Sequence, residues 1–424
     1  MNKSEEIIKK RSEFLFFNNA YFYKNPPVIV RGKMQYLYDE KGKEYLDMFA
    51  GVSVMNCGHS NDEIIDKIKH QLDKLQHTCA IYLTEPIAEL AEKMAEVLPG
   101  NIKRTFFVNS GSEATEGALL LAKLYSGKDK FIYIKGGLHG RTYLGMSVTG
   151  IDMWRGWVDE TKAFMAESFY PDIKQNDFDV KSSSENSLNS IKKILNENKG
   201  KIAALIIEPV QGNAGILTPN KDYFIKLKKI LEANDVLLIC DEVQTGFART
   251  GEMFAIKNFK VNPDIMVMAK ALGNGTPIGA FSTTDKIAKG FNKPSASTLG
   301  GNPISATAGL AVLDYTKKHD LNSRANRMGE LLIKGLKKLH GKYDFIRDVR
   351  GKGLMVGAEL VDKNNQPMDK LTDEILEKMK DKGIIIGKNG LKRNVLAFQP
   401  PLVIKENDIE KVISTLDTIL KNKV

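Results

Sequence analysis

Apolar residues recur along this chain with two different periods, and the alternation between them outlines its fold. Continuous apolar runs occupy residues 105–108, 131–134, 202–207, 236–240, 265–269 and 278–281. Runs of this length, bounded by turn residues, read as strands buried on both faces. Between several of them the spacing becomes that of an amphipathic helix, as in Tyr223, Phe224, Leu227, Ile230 and Leu231. Strand and helix in alternation predict a mostly parallel sheet covered on both sides. Two helical faces precede it, one of Ile64, Ile65, Ile68, Leu72 and Leu75, the other of Ile87, Leu90, Ala91, Met94, Ala95 and Leu98. His70 and His77 share a helical face without a further ligand at metal spacing, so they read as surface residues and no metal site is expected.

Outside this region the pattern differs. The start has an aromatic-rich stretch from Phe14 to Tyr23, a Pro26-Pro27 break and short alternating segments around Gly32 and Gly42. Beyond residue 315 a long helical face (Met328, Leu331, Leu332, Leu336, Leu339) leads to short strands at 353–360 and 384–386, then to a last helix carrying Ile409, Val412, Ile413, Leu416, Ile419 and Leu420. We therefore expect an α/β protein with a large domain over 56–315. An α+β small domain over 316–424 takes in the N-terminal segment 1–55. The polar stretch 181–186 is expected to be a surface connection.

Composition narrows the function classes. A chain of 424 residues exceeds the size at which one core stops growing, which agrees with two domains. No apolar run approaches the roughly 20 residues of a membrane helix, and the opening MNKSEEIIKKR lacks the apolar stretch of a secretory signal. Cys57, Cys79 and Cys240 are an odd, sparse set that points to a reducing compartment, hence a cytoplasmic protein. The net charge of +10 is spread along the chain, with no basic arm or aromatic-basic repeat, which argues against nucleic acid and leaves a surface that attracts anionic metabolites.

The chemistry collects at strand ends. Lys270 closes the run 265–269 and precedes Ala271-Leu272-Gly273-Asn274-Gly275, which places its amine at the carboxyl edge of a sheet, where open α/β folds bind ligands. Two further strands end in acids, Glu208 and Asp241. After the strand 105–108, Asn109-Ser110-Gly111-Ser112-Glu113-Ala114 is a small-residue turn opening a helix whose free N–H groups suit a phosphate. Taken singly, these are an ordinary loop lysine, an ion pair and a serine N-cap. Pyridoxal phosphate asks for all of them together: a lysine for its aldehyde, an aspartate for its ring nitrogen and a helix terminus for its phosphate.

The motifs NSGSEATEGA, LHGRT, EPVQG, DEVQTGFARTG, AKALGNG and TLGGNP resemble, in order and spacing, the class III pyridoxal-phosphate-dependent aminotransferases of fold type I, over essentially the whole chain. The resemblance implies a homodimer, or a dimer of dimers, with active sites at the subunit interface. It implies Lys270 as the Schiff-base lysine, Asp241 as the partner of the ring nitrogen and Gln244 as a contact to the ring hydroxyl. Gly111 and Ser112 hold the phosphate, and His139, Glu208 and Val243 lie about the cofactor. Thr298 reaches the phosphate of the neighbouring subunit's cofactor. Val54 and Tyr82 fall where the resemblance places pocket walls.

Three positions depart from the commonest family pattern. Leu138 stands where an aromatic residue usually covers the ring. Members that pair 2-oxoglutarate with ω-amino donors carry an arginine before the FxPPL segment and a glutamate after EPxQG. Here those places hold Ala397 and Asn213. Losing both partners leaves no buried ion unpaired, whereas losing one would cost about 3–5 kcal/mol. The joint loss favours a small 2-oxo acid acceptor, pyruvate or glyoxylate, and a donor with a terminal primary amine. Arg249 resembles a structural arginine of the family. Trp154 and Trp157 read as local packing in a surface loop rather than as substrate stacking, with lining of the cavity entrance as the alternative for that loop. Elimination of ammonia or phosphate, or epimerisation of an amino acid, is the alternative on the same scaffold. A catalytically idle regulator is disfavoured, because every chemical position is filled.

Overall fold

The computed structural model describes residues 3–16, 21–156, 158, 160–172 and 178–421. A seven-stranded sheet forms its centre, in the spatial order Arg104–Val108, Gly279–Thr283, Ile265–Met268, Leu237–Asp241, Ile202–Ile207, Lys130–Ile134, Ala163–Ala166. Gly279–Thr283 runs antiparallel to both neighbours, and the other pairs are parallel. Every side chain of Ile202–Ile207 and Ile265–Met268 is buried, as expected of strands covered on both faces. Apolar clusters lie on either side, one around Leu205, Leu227 and Met266, the other around Ala118, Ile206 and Val267. The edge strand Ala163–Ala166 was not read from the sequence, because its four residues are too few to show a period.

A further cluster joins residues far apart in the chain. Leu46, Met48, Cys57 and Ile64 pack with Leu332, Leu336, Ile375, Phe398 and Val412. A second, antiparallel sheet contains Ile346–Lys352, Met355–Leu360, Val395–Phe398 and Gly387–Asn389, in that order. A third sheet runs Ile29–Lys33, Tyr36–Asp39, Glu44–Asp47 and is closed by Ile384–Ile385, which pairs in parallel with Glu44–Asp47. The N-terminal segment is thus stitched by backbone hydrogen bonds to a strand more than three hundred residues later.

Two expectations need correction. The stretch 181–186 is not a surface connection but the first turns of the helix Val180–Glu197, with Ser183, Ser184 and Ser187 buried. Two of these hydroxyls are satisfied within the fold: Ser184 donates to Phe169 O, and Ser187 donates to Glu167 O. Small hydroxyl residues on the inner face concealed the period. His77 lies beyond the helix Asp62–Lys74, so it does not share a helical face with His70, although both are exposed. Part of the aromatic start, residues 17–20, lies outside the described residues. Among the described residues no helix is long and apolar enough to cross a membrane.

Candidate active site

A cavity of about 400 Å³ opens at the carboxyl edge of the large sheet. Asp241 ends one strand, Glu208 and Lys270 come just after two others, and all three line it, as do Gly111 and Ser112 at the start of the helix Gly111–Ser126. Leu138, His139, Val243, Gln244, Asn213 and Val54 complete the part of the lining expected from the sequence. Tyr82, Thr298 and Ala397 are not in it. Tyr82 is 67% exposed and Thr298 is also exposed. Ala397 is fully buried against Val210, Ile216 and Met355.

Hydrogen bonds fix the two carboxyl groups on the cavity floor. Asp241 Oδ2 lies 2.7 Å from His139 Nδ1, and its Oδ1 accepts the Val243 N–H at 3.0 Å. Glu208 accepts the N–H of Leu138 through Oε1 and that of Gly212 through Oε2, both at 3.0 Å, so one carboxylate ties two loops of the cavity wall. Burial pushes the Glu208 carboxyl up to about 7, with Asp241 adding to the rise and His139 opposing it. Burial also holds the Lys270 amine below the usual lysine range, against the pull of Glu208 and Asp241. Lys270 sits at φ +48°, a left-handed conformation that costs a side-chain-bearing residue about 1–2 kcal/mol. Strain of this kind persists where the surroundings over-determine a functional side chain.

The anion cradle is built locally. Ser110 caps the helix, its Oγ accepting from Glu113 N, and the N–H groups of Gly111 and Ser112 find no acceptor among the described residues. Gly140, at φ +117°, brings the next loop onto this turn: a Cβ there would stand 2.9 Å from Ser112 Cα. The Arg141 N–H then reaches Ser112 Oγ at 3.0 Å. One turn into the helix, Thr115 lines the cavity with a buried hydroxyl that has no partner. An amine and a carboxylate across one cavity, beside free helix N–H groups and an unsatisfied hydroxyl, fit pyridoxal phosphate.

Thr115, Arg141 and Trp154 are among the lining residues that the sequence did not assign to the site. Arg141 lies within the LHGRT motif, which was its signal, and among the described residues is the only arginine in the lining. Trp154, read earlier as local packing, lines the cavity from a short 3-10 turn and is 49% exposed. Trp157 is outside the described residues. Val54 follows the turn Ala50–Ser53, in which all four residues have positive φ. Asp47 Oδ1 steadies that turn by accepting the N–H groups of Phe49 and Ala50. Arg249 is fully buried away from the cavity; its guanidinium donates to Leu354 O, Pro400 O and Asn56 Oδ1. Burial lowers it to about 9, with Asp47 opposing.

The family described as aminotransferase class-III matches residues 20–420. An alanine–glyoxylate aminotransferase 2 homolog 2, mitochondrial, from Arabidopsis thaliana is 39% identical over 98% of this chain and 87% of its own length. An acetylornithine aminotransferase from Methanocaldococcus jannaschii is 37% identical over 93% of each. Among solved structures, an amine transaminase from an uncultivated Pseudomonas species in its PLP-bound form superimposes with a TM-score of 0.87 at 29% identity, covering 95% of this chain and 96% of its own.

Proposed function

The chain belongs to the class-III aminotransferases, and from that premise we propose that it moves an amino group from a terminal-amine donor to a small 2-oxo acid. The donor is an amine or an ω-amino acid such as β-alanine or 4-aminobutyrate, and the acceptor is pyruvate or glyoxylate. Class-III aminotransferases depend on pyridoxal phosphate. When bound, it supplies the carbon that takes the amino group and a ring that accepts the electron pair released at the donor carbon.

In this reading Lys270 holds the cofactor, and its amine, made less basic by burial, then moves a proton to and from the donor carbon. Asp241, oriented by His139 and the Val243 N–H, would be the carboxylate that holds the proton on the ring nitrogen. Gly111, Ser112 and Thr115 would hold the phosphate, Leu138 and Val243 would cover the ring, and Gln244 would bind its hydroxyl. Val54, Asn213, Arg141 and Trp154 shape the substrate end.

The observation that carries the choice of acceptor is the wall at Asn213. Asn213 brings no carboxylate and Ala397 is sealed into the core, and among the described residues Arg141 is the one arginine that lines the cavity. One guanidinium matches an acceptor with one carboxylate; a dicarboxylate calls for a second. The alanine–glyoxylate activity named for the Arabidopsis relative supports the same choice.

We further propose that the working unit is a homodimer, because Ile81, Tyr82 and Leu83 are 84%, 67% and 102% exposed and Leu299, next to Thr298, is 50% exposed. Three free cysteines suit a reducing compartment such as the cytoplasm. The test is a half-reaction screen: amines are mixed with the holoprotein and loss of the cofactor's visible absorbance is followed, then pyruvate, glyoxylate and 2-oxoglutarate are compared for its return. A best recovery with 2-oxoglutarate overturns the acceptor assignment. Turnover that consumes no 2-oxo acid overturns transfer itself in favour of elimination or epimerisation.

A further inference from the structure

The cavity's Gln244 is in contact with a residue that does not itself line the cavity. Gln399, fully buried just after the strand Val395–Phe398, donates from Nε2 to Gln244 Oε1 at 2.8 Å. Its backbone is anchored on both sides: the Gln399 N–H donates to Met48 O at 2.7 Å, and the carbonyl of Pro400 accepts from buried Arg249. The oxygen of Gln244 is also held from the other direction. It occupies the place a side chain would take at Gly212, where a Cβ would stand 1.9 Å away. The Gly212 peptide is itself pinned, its N–H to Glu208 and its carbonyl to Asn389 Nδ2 at 2.9 Å.

An amide has one accepting and one donating end, so fixing the oxygen fixes where the N–H points. The opposite orientation would aim the Gln244 carbonyl oxygen into a cavity whose floor already carries the carboxylates of Asp241 and Glu208. We propose that Gln399 is a positioning residue for the transamination site: by donating to Gln244 Oε1 it turns the Gln244 amide N–H toward the ring oxygen of the cofactor. This rests on the reading of Gln244 as the ring-hydroxyl contact. Through it, the segment that includes Gln399 and Pro400 sets the electronic character of a cofactor it never touches.

The experiment titrates holoprotein variants and follows the visible absorbance of the bound cofactor against pH. An N–H aimed at the ring oxygen draws on its lone pairs and weakens its hold on the proton the chromophore binds. Losing the N–H therefore moves the titration midpoint upward, by about 1 pH unit for one hydrogen bond to a charged oxygen. Gln244→Leu should show this shift and Gln399→Leu a part of it, and the double variant should match Gln244→Leu alone. Gln399→Glu should shift the midpoint further than Gln399→Leu. A carboxylate only accepts, so Gln244 turns its N–H toward it and presents its carbonyl to the cavity. If Gln244→Leu shifts the midpoint and both Gln399 variants leave it in place, the positioning role is refuted while the Gln244 contact stands. If Gln244→Leu leaves it in place, the reading of Gln244 falls, and the positioning role with it. Equal shifts in the two Gln399 variants indicate mere loss of packing and also refute the role. Should Gln399→Glu not fold, comparison of Gln399→Leu with the double variant decides.

Discussion

Removing the charge of Glu208 by Glu208→Gln should change how the stability of the apoprotein depends on pH. In the folded chain burial raises this carboxyl to about 7, against a usual value of 4.5. The folded state therefore binds more protons than the unfolded state between those values, and stability falls as pH rises through that window. The difference of about 2.5 units corresponds to about 3 kcal/mol that is present below pH 4.5 and absent above pH 7. Glu242 is raised to about 7 as well, chiefly by burial, so it adds a fall of similar sign and size. Glutamine cannot ionise, but it can accept only one of the two N–H groups that Glu208 accepts, at a pH-independent cost of about 1–3 kcal/mol. Urea unfolding of the apoprotein at several pH values between 4 and 8 would measure this. The loss of stability across that range should be smaller in Glu208→Gln by about 3 kcal/mol, with m unchanged. Parallel curves for the two proteins would refute the account, because every other titrating group is common to both.

The remaining predictions concern three cations. Lys270→Ala should lower kcat at least about 10²-fold, the smaller end of what a positioned proton-transfer group contributes, and should abolish the cofactor's visible band; a variant with normal turnover would remove Lys270 from the mechanism. Arg141→Gln should raise KM for donors that carry a carboxylate by about 10- to 100-fold, the loss of one charge-assisted hydrogen bond, while KM for simple alkyl amines stays put; equal effects on both classes would contradict its role. Arg249→Met should lower the urea midpoint by the equivalent of about 3–5 kcal/mol, since it strands three buried oxygens that the guanidinium now satisfies. A loss below 1 kcal/mol would show that the surrounding backbone relaxes.

Local pattern carried a good deal of this protein. The apolar runs ending at Glu208, Asp241 and Lys270 implied strands whose ends share one sheet edge, and those three residues do line one cavity. The helix opening at Gly111 was legible because a short turn of small residues before an alanine-rich face has few other uses. The serines of Val180–Glu197 misled, since hydrogen bonds to Phe169, Glu167 and Tyr223 make them interior residues and no periodicity shows a partner. Ala397 and Asn213 were a pair only by resemblance; packing puts one inside the core and the other on the cavity wall.

The sequence by itself determined the alternation of strand and helix and the types of chemical group at the strand ends, because side-chain period and turn residues act over a few positions. The tertiary structure alone decided which distant segments meet. Glu44–Asp47 pairs with Ile384–Ile385, Arg249 is captured by the carbonyls of Leu354 and Pro400, and Gln399 reaches Gln244 across 155 positions. Such contacts depend on the simultaneous close packing of the whole interior, where a shift of one side chain moves its neighbours, and no local window of residues contains that information.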